Sequence, residues 1–181
     1  TNWTNTVTML NALPTQGLPI LNSSSGSNST DDNLTAYNIS TADSDNDNVT
    51  SIFDWRRNGA SIAVLDMPFD SFVENYSAGA VRDYSSYGHN GTLGGGNYGF
   101  APSWSLGKRG GAFLFDGVDE YILIPYSPDF NVFGSFTLEA WVMRNSNNTI
   151  GAVINRGTSG DPEEEYLSDG VTQEMIAQLG R

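Results

Sequence analysis

Apolar and polar residues alternate at period two along much of this chain, the pattern of half-buried β-strands. Over residues 49–55, Val49, Phe53 and Trp55 share one face, while Thr50, Ile52 and Asp54 share the other. Asn58-Gly59 follows, a pair that tolerates the two positive φ angles of a tight hairpin turn, and residues 61–65 are the returning strand. A second hairpin is predicted where residues 112–115 and 121–124 flank Asp116-Gly117-Val118-Asp119. Residues 135–143 alternate well: Phe136, Leu138, Ala140 and Val142 point one way, Thr137, Glu139, Trp141 and Met143 the other. Apolar side chains on both faces predict a strand buried on two sides, as in a sandwich. Residues 152–154 read as one more short strand. The fold class is therefore all-β, with Trp55 and Trp141 as expected core aromatics.

Two stretches leave this pattern. Residues 22–32 are rich in Ser and Asn and read as a loop. Beyond Pro162, Leu167, Val171, Met175 and Leu179 recur every four residues, with Asp169 at an N-cap position and Gly180 as a stop. That spacing fits a short helix. Gly170 inside it fits a coil tail equally well.

The polar positions add a second signal. Nine N-x-[ST] sequons begin at Asn2, Asn22, Asn28, Asn33, Asn38, Asn48, Asn75, Asn90 and Asn147. With 18 Asn and 34 Ser plus Thr, chance supplies roughly three. The excess predicts covalent N-glycans on an extracellular or cell-surface protein. There is no cysteine, which excludes disulfides and thiolate metal sites and favours a prokaryotic source for a secreted chain of this size. The net charge of −13 repels nucleic acid and anionic lipid, and no apolar run is long enough to span a membrane. The first residue is Thr1, as expected of a piece of a longer precursor.

Within this all-β pattern, two resemblances divide the chain. From Leu34 to Asp66, the stretch "DSDNDNVT" at 43, Trp55 and the Asn58-Gly59 turn resemble an Ig-like surface repeat of prokaryotic exoproteins, with "LPTQGLPIL" at 13 as its first strand. Further on, "MPFD" at 67, "DYSSYGHNGTL" at 83, "GKRGGAFLFDGVDEYILIP" at 107 and "SFTLEAWV" at 135 stand in the order and spacing of a laminin G-like, concanavalin A-type lectin domain. The second resemblance implies a jelly-roll sandwich of two antiparallel sheets. The expected organisation is an N-terminal strand over residues 1–12, the tail of an upstream repeat or a donor strand. An Ig-like β-sandwich over 13–66 and a laminin G-like domain over 67–160 follow, with an acidic tail or short helix over 161–181. Such a lectin-like domain normally continues well past its Trp-bearing strand. Here "GDPEEEYLSDGVTQEMIAQLGR" does not alternate, so the sandwich reads as incomplete, with open edges.

Candidate chemistry is sparse. Asp43, Asp45 and Asp47 alternate with polar residues and offer oxygen ligands to a hard cation such as Ca2+, although the glycine and distal glutamate of an EF-hand are missing. Asp116 and Asp119 bracket a turn, and the lectin resemblance implies calcium near such rims. Turn chemistry explains them more simply. Asp83, His89 and Asn90 read chiefly as loop hydrogen bonding. His89 is the single histidine, so a multi-histidine zinc site is excluded. Glu139 has no partner carboxylate on its strand, Glu163–Glu165 is an acidic run whose alternate residues face apart, and Gly94-Gly95-Gly96 lacks a phosphate loop's lysine. An enzyme is not expected. Tyr87, Tyr98, Phe100 and Trp104 lie in Gly-rich sequence, placed either to stack on sugar rings or to cap the core.

Two functions fit. The first is a glycosylated structural subunit of a surface filament or assembly, a homo-oligomer joined by β-strand complementation, with residues 4–10 (Val7 and Met9 on one face) as the donor strand. The second is a carbohydrate-binding module of a larger adhesin or exoenzyme.

Overall fold

The computed structural model describes residues 11–143, 151–155 and 165–169. The expected donor strand at 4–10, the sequons at Asn2 and Asn147, and Glu163, Glu164, Val171, Met175, Leu179 and Gly180 lie outside them. Every described regular element is a β-strand or a 3-10 turn, as an all-β class requires. The strands are β1 (Ile20–Ser23), β2 (Leu34–Tyr37), β3 (Arg56–Arg57), β4 (Ala60–Ser61), β5 (Thr92–Leu93), β6 (Ser103–Leu106), β7 (Gly111–Leu114), β8 (Ile122–Leu123), β9 (Gly151–Asn155) and β10 (Glu165–Asp169). They pair two by two and antiparallel: β1 with β2, β3 with β4, β5 with β8, β6 with β7, and β9 with β10. No described helix is long and apolar enough to cross a membrane.

The chain forms two compact units, divided between Ser51 and Ile52. In the first, Ile20 faces Tyr37 and Ser23 faces Leu34 across the β1–β2 ladder, and the bridge between Thr15 and Ala42 lengthens the pairing. The connecting loop is ordered by its own side chains. Asp32 accepts from Ser25 Oγ at 2.7 Å, Ser24 Oγ at 3.2 Å and the Ser29 N–H at 3.0 Å. Those bonds, Ser25's first, hold its carboxyl below the ordinary range. The buried apolar residues among those described all lie in the second unit, where Met67, Phe69, Val73, Val81, Leu93, Phe113 and Phe115 form one cluster.

Two of the resembled blocks interlock in that core. Trp104 on β6 donates its indole N–H to the Phe69 carbonyl at 2.8 Å, and the Gly111 N–H donates to Asp70 Oδ1 at 3.0 Å. A Cβ on Gly111 would meet the Phe69 carbonyl oxygen and lie 2.6 Å from the Trp104 ring. Gly110 has φ +66°, and a Cβ there would run into Asp70. The double glycine is thus what lets β7 lie against the Met67–Asp70 block.

The Asn58-Gly59 turn forms as predicted, with φ 54° and 88°. Its strands are far shorter than the alternation implies. The ladder holds Arg56–Arg57 against Ala60–Ser61, and the Ile62 N–H donates to the Trp55 carbonyl at 2.7 Å. Beyond that, side chains take the backbone groups. The Ser61 N–H goes to Ser86 Oγ at 2.9 Å, and Asp54 accepts from Ser61 Oγ at 2.8 Å. Residues 49–55 form no strand, and Trp55 is 41% exposed rather than central.

The second predicted hairpin does not form. Its strands exist, but β7 pairs with β6 and β8 pairs with β5. The Asp116 loop satisfies itself: Asp116 Oδ1 accepts from the Val118 N–H at 2.9 Å, and the Asp116 N–H donates to Glu120 Oε2 at 2.6 Å. Residues 135–143 carry an isolated bridge at Trp141 and no ladder among the described residues. Trp141 is 51% exposed, with Lys108 Nζ 5.2 Å above its ring. The expected two-sided burial is absent, because alternation describes which face a strand would bury and not whether a partner sheet is present. The strand expected at 152–154 is the centre of β9. Its partner β10 contains Leu167 and Asp169, so those two positions are extended. At Leu167 and Asp169 strand pairing outweighs the period-four spacing; Gly170 and the positions after it lie outside the described residues.

Candidate functional site

The acidic loop of the first unit brings its three carboxylates together. Asp43 Oδ1 accepts from the backbone N–H of Asp45 at 3.0 Å and of Asp47 at 3.4 Å. Asn46 takes φ 65° between them, which an Asn tolerates better than most residues. Asp45 Oδ2 accepts from the Ala12 N–H at 2.9 Å. Ligand oxygens of Asp43, Asp45 and Asp47 all lie within 4.8 Å of one another. Side-chain hydrogen bonding between Asp43 and Asp45 raises the pKa of the first and, helped by the Ala12 N–H, lowers that of the second. Three carboxylates this close offer oxygen ligands to a hard cation.

Asp116 and Asp119 make no such cluster with a third ligand among the described residues. Asp116 organises its own loop, and both carboxylates raise the pKa of Glu120, after the larger effect of its burial.

Asp83 is a structural carboxylate. It is buried and accepts from the N–H groups of Asp66, Ser85 and His89 at 2.9, 2.9 and 2.7 Å, and from Ser85 Oγ at 2.7 Å. The Asp83 N–H donates to Asn90 Oδ1 at 2.9 Å. His89 lies between Tyr87 and Phe130, with ring centroids 5.9 and 4.6 Å away. Its Nε2 is 3.1 Å from Asp129 Oδ2 yet makes no hydrogen bond, so the contact is a close approach out of line.

The four aromatic candidates do not share one rim. Trp104 is in a strand, not a loop: its ring is half-buried against the core, 5.1 Å from Phe72. Tyr87 stacks on His89, and Phe100 stacks on Tyr121 at 6.2 Å. Tyr98 is different. It is 78% exposed and forms an edge-on pair with Tyr76, centroids 6.0 Å apart and planes at 63°. Tyr76 and Tyr121 were not singled out by sequence; the signal for Tyr76 was its place inside the Asn75 sequon.

The seven described sequon asparagines (Asn22, Asn28, Asn33, Asn38, Asn48, Asn75 and Asn90) all lie on exposed positions. Asn22 faces Thr35 in the β1–β2 ladder. Asn38 donates its Nδ2 to Ser51 Oγ at 2.6 Å. Asn90 is tied to Asp83, and its sequon's Thr92 is buried in β5, accepting from the Gly79 N–H at 3.0 Å. Asn48 precedes no strand, contrary to the alternation reading of residues 49–55.

No protein-family model, curated protein or solved structure matches this chain.

Proposed function

We propose that this chain belongs to an N-glycosylated extracellular surface protein that joins neighbouring copies into a filament or array by β-strand complementation. In this reading an Ig-like sandwich module precedes a laminin G-like jelly-roll whose sheets are completed by strands from a neighbour. One observation carries it: the described strands are laddered only two by two, and apolar side chains beside the β1–β2 pair face water. In the first unit Leu13, Leu18, Ile20, Leu21, Leu34 and Tyr37 are exposed, and no described residue there is a buried apolar one. An isolated two-stranded sheet is marginal in water, so a further strand has both hydrogen bonds and apolar area to gain. In the second unit Phe133 is 97% exposed, and Trp141, Val142 and Met143 on the unladdered segment are exposed too.

Residues 4–10 are the proposed donor, because their alternation suits insertion along an open edge. Asp43, Asp45 and Asp47 are the proposed Ca2+ ligands, tying the loop that follows β2. Deleting residues 1–10 from the glycosylated chain tests the donor. Loss of polymer with both units still folded supports it, and unchanged polymerisation refutes it.

A carbohydrate-binding module is the second reading, favoured by the exposed Tyr76–Tyr98 pair. The two readings separate on purified protein: a soluble monomer retained by a glycan array supports the second.

A further inference from the structure

Asn75 sits where the chain leaves the core. Val73 is buried two residues before it, and Ser77 begins a turn closed by the Ala80 N–H on the Ser77 carbonyl at 3.1 Å. Asn75 Oδ1 accepts from the Ser77 N–H, also at 3.1 Å. That bond uses the carbonyl end of the side chain and links the sequon's first and third residues. Its Nδ2, the atom an N-glycan occupies, makes no hydrogen bond among the described residues. Asn38 contrasts with it, since its Nδ2 donates to Ser51 Oγ.

An aromatic pair begins at the residue after Asn75. Tyr76 is the sequon's middle residue, and Tyr98 meets it edge-on, so the two rings make a floor and a wall. Phe72, three residues before Asn75, is 60% exposed. The wall is fixed from behind. Asn97 Oδ1 accepts from the Gly99 N–H at 3.0 Å, the Gly94 N–H donates to the Tyr121 carbonyl at 2.7 Å, and the Tyr121 N–H donates to the Phe100 carbonyl at 3.1 Å. These bonds fix the backbone around Tyr98, and its exposed ring suits a ligand with an apolar face.

We propose that Asn75 carries an N-glycan and that Tyr76 and Tyr98 seat its first sugar. The inference rests on reading the chain as an N-glycosylated extracellular protein. The co-reactant is a sugar linked to a polyprenyl phosphate or pyrophosphate, delivered by a membrane glycosyltransferase. Asn75 Nδ2 forms the bond to C1 of the sugar and yields one proton to a base of the transferase. The C1–O bond breaks, and its electron pair leaves with the lipid phosphate. No oxidation or reduction occurs. The axial C–H groups of the attached pyranose, weakly positive, then lie on the electron-rich face of Tyr98, while its hydroxyls stay in water. The glycan thereby covers rings that the protein leaves bare.

The test uses the full chain secreted from a glycosylating host, with glycopeptide mass spectrometry for occupancy and proton NMR for the sugar. Asn75 is expected to be occupied, Ser77→Ala to lose that glycan, and protons of the first sugar to lie upfield through the tyrosine ring current. Tyr98→Ala is expected to abolish the upfield shift with occupancy kept, and Tyr98→Phe to retain it. Since Tyr98 is mostly exposed, neither variant threatens folding. An empty Asn75 beside occupied sequons elsewhere overturns this proposal alone. A chain bare at every sequon overturns the glycoprotein reading with it. An occupied Asn75 whose sugar shifts are the same in Tyr98→Ala overturns the seat.

Discussion

Trp104 donates its indole N–H to the carbonyl of Phe69 at 2.8 Å, across 35 residues of sequence. This bond and the Gly111–Asp70 bond fasten β6 and β7 to the Met67–Asp70 block, and Phe113 packs edge-on against Phe69 with centroids 5.1 Å apart. Trp104→Phe keeps the ring but orphans the carbonyl, at a cost of about 1–2 kcal/mol. Trp104→Ala costs about 3–5 kcal/mol. Trp55→Ala and Trp141→Ala each cost only about 1–2 kcal/mol, because much of each ring is already in water. Urea midpoints rank the three, and a Trp141→Ala cost equal to that of Trp104→Ala contradicts this core.

Asp83→Ala removes the acceptor shared by the N–H groups of Asp66, Ser85 and His89. Each buried donor left without a partner costs about 1–3 kcal/mol, so the sum approaches the whole stability of a small domain. The expected result is loss of the cooperative melt of the second unit by circular dichroism. Asp83→Asn, whose amide oxygen still accepts, retains a lowered melt. An Asp83→Ala protein that melts like the parent shows that water replaces the carboxylate.

If the Asp43 loop binds calcium, the ion stabilises the folded form by mass action, by about 2.7 kcal/mol at a hundredfold excess over Kd. Chelator is therefore expected to lower the melting temperature, and Asp45→Asn to remove the calcium response while leaving the chelated melting temperature nearly unchanged. Identical melting curves with excess calcium and excess chelator count against the site.

Sequon occupancy is expected to follow geometry rather than sequence. Asn28 and Asn33 stand exposed around a polar loop. Asn90 holds the Asp83 N–H, and Thr92 is buried behind it. Glycopeptide mapping of the secreted chain is expected to find Asn28 and Asn33 modified and Asn90 bare. Full occupancy at Asn90 would mean that the transferase acts before β5 pairs with β8.

The legible parts of the fold were those written in local chemistry. Asn58-Gly59 announces its turn because few other pairs accept two positive φ angles. The Asp43–Asp47 cluster shows because short-range backbone bonds gather its carboxylates, and β9 shows as a short apolar strand. Partner choice was not legible. Residues 112–115 and 121–124 look like one hairpin, yet each pairs elsewhere, since the Asp116 loop satisfies its own donors and the Gly110-Gly111 pair opens a tighter fit against Asp70. β6 was missed because four residues in Gly-rich sequence carry little periodicity, and that hid the core role of Trp104. The Tyr76–Tyr98 pair joins positions far apart in sequence, which no local pattern reveals.

Assembly is the central claim, and electron microscopy of the purified, glycosylated chain at increasing concentration tests it most directly. The account predicts filaments or arrays that form with the full chain and disappear when residues 1–10 are deleted, both units remaining folded by circular dichroism. Discrete monomers at every concentration, from a chain whose sequons are occupied, would contradict it.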